Sequence, residues 1–199
     1  MTSVNLEIVG VGGQGILTSS KVIGNAALTK ELDVFMSEVH GMAQRGGVVV
    51  TTVKIGEKVY SPLIGDGEAD VVLGFEPVET YRAIEKASKK TWVITNTSPI
   101  VPFTVSVGKE SYPSIDELLE SLEGMTDKLI KIDAEMLAKE AGAAITQNIV
   151  LVGALTATGV LPMSKDEMLE AVIESVPDKF EDINEKAFLK GYEEGKSQM

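Results

Sequence analysis

The residues best suited to hold a ligand lie in Gly10-Val11-Gly12-Gly13-Gln14-Gly15, between an apolar run (Leu6, Ile8, Val9) and a helical pattern starting at Ile16. Glycine permits positive φ and close approach of a second group to the main chain. A helix starting there points unpaired N–H groups back at the loop, a ready site for phosphate or carboxylate. Gly10, Gly12 and Gly15 also fit the G-x-G-x-x-G dinucleotide spacing. The same glycines could equally serve only a tight turn and close packing of helix on strand. Gln14 and Thr18 add an amide and a hydroxyl, which can position a ligand but do no acid–base chemistry at neutral pH.

The second group is Ser37-Glu38-Val39-His40-Gly41-Met42-Ala43-Gln44-Arg45-Gly46-Gly47. His40 is the one histidine of the chain and sits beside Glu38. Together they could act as acid or base, although a lone histidine also fits a structural or interfacial role. Arg45, flanked by Gln44 and Gly46-Gly47, suits bidentate binding of a carboxylate or phosphate, or a salt bridge to a partner chain. Glu38 follows a strand where a dinucleotide enzyme keeps the acid that binds ribose, so NAD(P) binding is an alternative reading. Gly65-Asp66-Gly67 resembles the Gly-Asp-Gly of thiamine sites, but a loop precedes it, a strand follows, and Asn96 is followed by threonine; we reject that assignment. No serine or cysteine nucleophile with a base and no Walker lysine is present.

Composition narrows the field. There is no cysteine, which excludes disulfides and iron–sulfur clusters ligated by this chain, and one histidine cannot form a histidine metal cluster. The net charge of −12 argues against nucleic acid. No run approaches a membrane span, and no basic leader precedes the first strand, so a cytoplasmic protein is expected.

The elements that must position these residues alternate. After the first strand and helix, Leu32–Met36 reads as a strand. Val48–Ile55 and Lys58–Ser61 read as a hairpin turning at Gly56-Glu57. Asp70–Phe75 is a buried strand, Pro77–Lys86 a helix, and Trp92–Thr95 a strand ending at Asn96. Ser114–Leu122 is a helix capped by Ser114 with Glu117, Leu129–Ile132 a strand and Ala134–Ala141 a helix. Thr146–Thr158 is a buried helix whose Thr146-Gln147-Asn148 start favours capping over lining a cleft. Ser164–Ser175 is a helix with a capping box through Glu167, and Phe180–Gly195 a polar terminal helix. This pattern predicts one domain over residues 1–199: a three-layer α/β fold, mainly parallel, with a Rossmann-like glycine loop, an inserted β-hairpin and a helical C-terminal part. Ligands in such folds sit beyond the carboxyl ends of strands. The glycine loop, Ser37–Gly47, Glu76 and Asn96 all follow strands and could share that rim, with Asn148 as a secondary candidate.

Taken together, Gly10–Gly15 with Thr18, Ser37–Gly47 and Asp70–Pro77 resemble the gamma-type domain of the 2-oxoacid:ferredoxin oxidoreductases. Glu-Val-His-Gly-Met-Ala-Gln-Arg-Gly-Gly is most similar to the small-subunit form acting on indolepyruvate. The resemblance implies a heteromeric enzyme that oxidatively decarboxylates arylpyruvates, with coenzyme A as acyl acceptor and ferredoxin as electron acceptor. It further implies that this chain binds no cofactor alone. Thiamine diphosphate, magnesium and iron–sulfur clusters would belong to a larger partner subunit, and the small chain would complete the site. Gly12, Gly13, Gln14 and Gly15 would then face an anion or the partner. Ser37, Glu38, His40, Gly41, Met42, Gln44, Arg45, Gly46 and Gly47 would lie at the inter-subunit cleft.

Overall fold

The computed structural model describes residues 3–41, 47–101, 105 and 111–199. Its centre is a six-stranded sheet in the order β2-β3-β1-β4-β5-β6. The strands are β1 (Val4–Val11), β2 (Asp33–His40), β3 (Val48–Gly56), β4 (Val71–Gly74), β5 (Trp92–Asn96) and β6 (Lys128–Ile132). β1, β4, β5 and β6 run parallel, while β3 is antiparallel to both β1 and β2. The parallel strands are short and apolar because both of their faces are covered.

The seven α-helices described are α1 (Ile16–Leu28), α2 (Pro77–Arg82), α3 (Ile115–Met125), α4 (Ala134–Ala141), α5 (Gln147–Ala157), α6 (Lys165–Glu174) and α7 (Glu181–Ser197). Side-chain alternation sorts the sheet into two faces. Leu6, Ile8, Val53, Leu73, Ile94 and Ile130 point to a first face, where α1 and α4–α7 build the larger core. Val9, Val72 and Val93 point to a second face and meet Ile64 and Ala83, the latter in a 3₁₀ turn after α2. The capping box of α6 forms as its sequence requires: Ser164 and Glu167 bond each other's backbone N–H. Pro77 opens α2 behind the cap Glu76.

Three expectations need correction. The hairpin is not Val48–Ile55 with Lys58–Ser61; β3 pairs along its length with β2 on one side and β1 on the other, and 58–61 forms no strand. The alternating β-branched residues identified the strand correctly, but its partner is decided by burial: Val49, Val53 and Ile55 join the first-face core only when β3 lies inside the sheet. Next, Ser37–His40 belongs to β2 itself rather than to a rim loop, because the pairing with β3 continues to His40↔Val49. Last, the terminal helix is polar on one side only. α7 buries Ala187, Phe188, Gly191 and Gly195 against α5. A Cβ on Gly191 would overlap the Val150 backbone, and one on Gly153 would overlap that of Phe188, so glycine is what lets these two helix backbones touch.

Candidate functional site

The parallel strands end along one rim, and a cavity of about 770 Å³ opens there. Its walls come from the glycine loop (Gly12–Gly15 with Thr18), the ends of β4 and β5 (Phe75, Asn96, Ser98–Ile100), and the start of α5 with the turn before it (Ala143–Ile149). Val176, Phe180, Ile183 and Asn184 close the side next to α7.

The loop is built by a division of labour among its residues. Gln14 Oε1 accepts from Val11 N–H at 2.7 Å, and its Nε2 donates to the Phe75 carbonyl at 2.7 Å. The amide therefore ties the end of β1 to the end of β4. Gly10 makes room for this staple, since a Cβ there would lie 2.6 Å from Gln14 Oε1 and 2.7 Å from Phe75 Cβ. Gly10 thus serves packing and does not line the cavity, whereas Gly12, Gly13 and Gly15 do. Gly15 adopts φ +82° as the N-cap of α1, with no side chain capping the helix. α5 also starts at the cavity wall without a side-chain cap. Two sets of helix N-terminal N–H groups, each with its partial positive charge, therefore meet at one cavity.

Four buried polar side chains line the cavity among the described residues: Asn96, Thr146, Asn148 and Asn184. Three are engaged within the chain. Asn96 bonds Phe75, Ser98 and Ala134, Thr146 donates to Ala143, and Asn184 donates to Phe180. Asn148, only 8% exposed, makes no hydrogen bond. Its amide rests against Gly15, where a Cβ would come within 3.0 Å of Asn148 Cγ. The side-chain amide has no partner within the chain and faces the cavity, where a group entering it could bond it. The expectation that Thr146-Gln147-Asn148 caps the helix is thus overturned. Thr146 reaches back to Ala143, and the bend at 144–146 turns Asn148 into the cavity.

Beyond those helix ends the cavity carries little side-chain charge. Its one charged lining residue among those described is Glu135, ion-paired with Lys139 at 2.5 Å. Around its mouth Ile145 (88% exposed), Ile100 and Phe180 leave large apolar surfaces in water. Sequence reasoning missed this rim. Apolar residues next to the start of α5 read naturally as core, and only their exposure separates them from it.

The remaining candidates divide. Glu38 and His40 lie on β2 with Oε2 and Nε2 3.3 Å apart, exposed and away from the cavity lining. Ser37 lies on the same strand and Gly41 just beyond it. Met42, Gln44, Arg45 and Gly46 lie outside the described residues. Gly47 meets the glycine loop directly, its carbonyl accepting from Gly12 N–H at 2.9 Å. Glu76 does not line the cavity. One oxygen of its buried carboxylate caps α2 through Val78 and Glu79, and the other holds Ile100 N–H and the Tyr112 hydroxyl. Asp66 of the Gly-Asp-Gly triplet is engaged by Lys86 at 2.6 Å.

The model of the family described as pyruvate ferredoxin/flavodoxin oxidoreductase matches residues 5–194. This chain belongs to that family. It is 45% identical over 200 residues to the indolepyruvate oxidoreductase subunit IorB of Pyrococcus horikoshii, covering 100% of this chain and 99% of that one. The IorB subunit of Methanothermobacter thermautotrophicus is 43% identical over 188 residues, 94% and 95% of the two chains. Among solved structures, the gamma subunit of a keto/oxoacid ferredoxin oxidoreductase from Geobacter sulfurreducens superposes with a TM-score of 0.71 at 22% identity, covering 98% and 99%. The 2-oxoglutarate:ferredoxin oxidoreductase of Magnetococcus marinus gives 0.73 at 20% identity, covering all of this chain and 32% of that longer one. The family's small-subunit fold is therefore the fold seen here, and the chain is an oxidoreductase subunit. Among the described residues, no helix is long and apolar enough to cross a membrane.

Proposed function

We propose that this chain is the small subunit of a heteromeric arylpyruvate:ferredoxin oxidoreductase and that its cavity completes a site shared with a larger subunit. In that reaction a 2-oxoacid loses carbon dioxide, its acyl group passes to the coenzyme A thiol, and the electron pair passes to ferredoxin. The observation that carries the reading is the end-to-end match, at 41–45% identity, to four relatives that each bear the indolepyruvate oxidoreductase name. Thiamine diphosphate with magnesium, and iron–sulfur clusters, do not fit this chain: it has no cysteine, and its Gly-Asp-Gly aspartate is taken by Lys86. We assign those groups to the larger subunit and derive no step through them.

The cavity suits an uncharged, amide-bearing ligand segment better than a phosphate. Its walls are mostly apolar, no lysine or arginine is among its described lining residues, and Asn148 offers both donor and acceptor. The pantetheine arm of coenzyme A, with amides spaced along aliphatic carbon, has that chemistry. Asn148 would orient the arm while the exposed apolar rim meets the larger subunit and excludes water.

The NAD(P) alternative loses its geometric basis. β3 lies between β1 and β2, so Glu38 stands two strands from the glycine loop's strand, roughly 10 Å away, where a dinucleotide fold places that acid one strand away.

The test is 2-oxoacid-dependent ferredoxin reduction with coenzyme A, comparing this chain, the larger subunit and their mixture. Activity confined to the mixture, best with indolepyruvate or phenylpyruvate, supports the reading; no gain on mixing removes it. In the mixture Asn148→Leu is expected to raise KM for coenzyme A about tenfold, the worth of one buried hydrogen bond, with little change for the 2-oxoacid. A shift confined to the 2-oxoacid KM would reassign the cavity. Arg45→Ala is expected to impair turnover of the mixture without unfolding this chain.

A further inference from the structure

The sheet has two edges, and they are treated differently. β6 is five residues long, contains Lys128 and Lys131, and is plugged from the outside by Gln198, whose side chain accepts from Lys131 N–H and donates to its carbonyl. β2 is eight residues long, contains neither proline nor lysine, and pairs with β3 alone. Edge strands of this kind are templates for strand addition unless something guards them.

The side chains of β2 add a second observation. Phe35, Ser37 and Val39 share the second face, because their partners on β3 are Lys54, Thr52 and Val50. No described helix covers that face over β2, and Phe35 is 40% and Val39 64% exposed. The loop after β3 extends the apolar surface. Ile64 packs with Val9 and Val50 on this face, and nearby Tyr60 and Leu63 stand 84% and 74% exposed.

We propose that two copies of this chain join edge to edge along β2, antiparallel about a two-fold axis at Ser37, so that their two sheets become one. The pattern is self-complementary in this register. Opposed residues must share a face, so a two-fold at Ser37 sets Phe35 of each copy against Val39 of the other. These are aromatic–β-branched pairs of the kind that stabilise sheets. On the first face it sets Met36 against Glu38 and Val34 against His40. A two-fold at Met36 would face Phe35 with Ser37, and one at Glu38 would face two carboxylates. Two-folds at Phe35 or Val39 would pair that residue with its own copy but carry the other beyond the strand, so only the Ser37 register gives both Phe35 and Val39 an apolar partner within β2. A foreign strand would have no reason to find such symmetry in β2. The contact lies away from the cavity lining.

The chain has no cysteine, which makes Ser37→Cys a single-thiol reporter. Mild oxidation of the full-length variant, alone and mixed with the larger subunit, is expected to give a disulfide-linked dimer of this chain. Ile145→Cys at the cavity mouth is expected to give none. By sedimentation velocity the unmodified chain is expected to be dimeric at micromolar concentration, more tightly so at higher salt, because each copy carries −12. Phe35→Lys with Val39→Lys should weaken the dimer by about a hundredfold or more through lost pairs and like charges. Far-ultraviolet circular dichroism should remain unchanged. A monomer at all concentrations, a dimer indifferent to the double substitution, or cross-linking through Ile145→Cys but not Ser37→Cys would each overturn the proposal. So would a double variant that stays dimeric but no longer binds the larger subunit, which would give the edge to that partner instead.

Discussion

The two faces of the sheet solve different problems. On the first face, five helices pack into a continuous core, and α5 and α7 approach through glycines until their backbones touch. That closeness holds the start of α5, and Asn148 with it, against the glycine loop. On the second face the cover is thinner: α2 with its 3₁₀ extension and the loop carrying Ile64 supply a small core, and nothing described lies over β2. This face also buries Glu7, 5% exposed, whose Oε2 has no hydrogen-bond partner, opposite Thr52, whose hydroxyl is likewise unpartnered. The comparison teaches that the closest packing lies on the face that carries the cavity wall. The other face tolerates polar and uncovered surface.

Gly191→Ala would break the contrast most sharply. In a free helix this change stabilises by about 1 kcal/mol. Here the added methyl overlaps Val150 of α5, and a loss of about 3 kcal/mol or more is expected in urea unfolding. The sign reversal is the diagnostic.

Glu7 tests the second face. Burial pushes its carboxyl up to about 7, partly offset by Lys86 and reinforced by Glu85. A raised folded-state value means that the stability contributed by the protonated form is complete below about pH 4.5. It is lost as pH rises through about 7. Glu7→Gln is therefore expected to stabilise the chain by about 2 kcal/mol at pH 8 and to change little near pH 4. Urea titrations at both values would show it, and equal effects at both would mean that folding does not raise the Glu7 carboxyl.

Asn148→Leu sharpens the comparison from the other side. Replacing an ordinary buried hydrogen-bonded amide costs about 1–3 kcal/mol. Replacing an unpartnered one should leave thermal unfolding of the isolated chain unchanged or raise its midpoint, while the reconstituted enzyme loses affinity for coenzyme A. The smallest effect is expected at the guarded edge. Gln198→Ala removes two exposed hydrogen bonds to β6 and should cost about 1 kcal/mol or less, with faster amide exchange at Lys131.

The amino-acid sequence by itself determined what local chemistry can determine. Capping residues, Pro77, the glycine loop and the apolar runs placed every strand and helix core named in advance, apart from the return strand of the supposed hairpin. The absence of cysteine limited the cofactors, and the motifs at Gly10–Gly15 and Ser37–Gly47 pointed to the family. Tertiary structure alone decided the rest, because each remaining question turned on a neighbour distant in sequence. β3 reads as a strand from its residues, but its place between β1 and β2 follows from which face buries Val53 and Ile55. α7 reads as polar, yet its glycines meet the backbone of α5 some forty residues earlier. Asn148 reads as a helix-capping residue until the turn at 144–146 and the left-handed Gly15 bring it to the cavity wall without a partner. Side-chain type sets what a residue can do. Packing sets what is left for it to do, and at Asn148 it leaves an amide facing the cavity with no side-chain partner inside the chain.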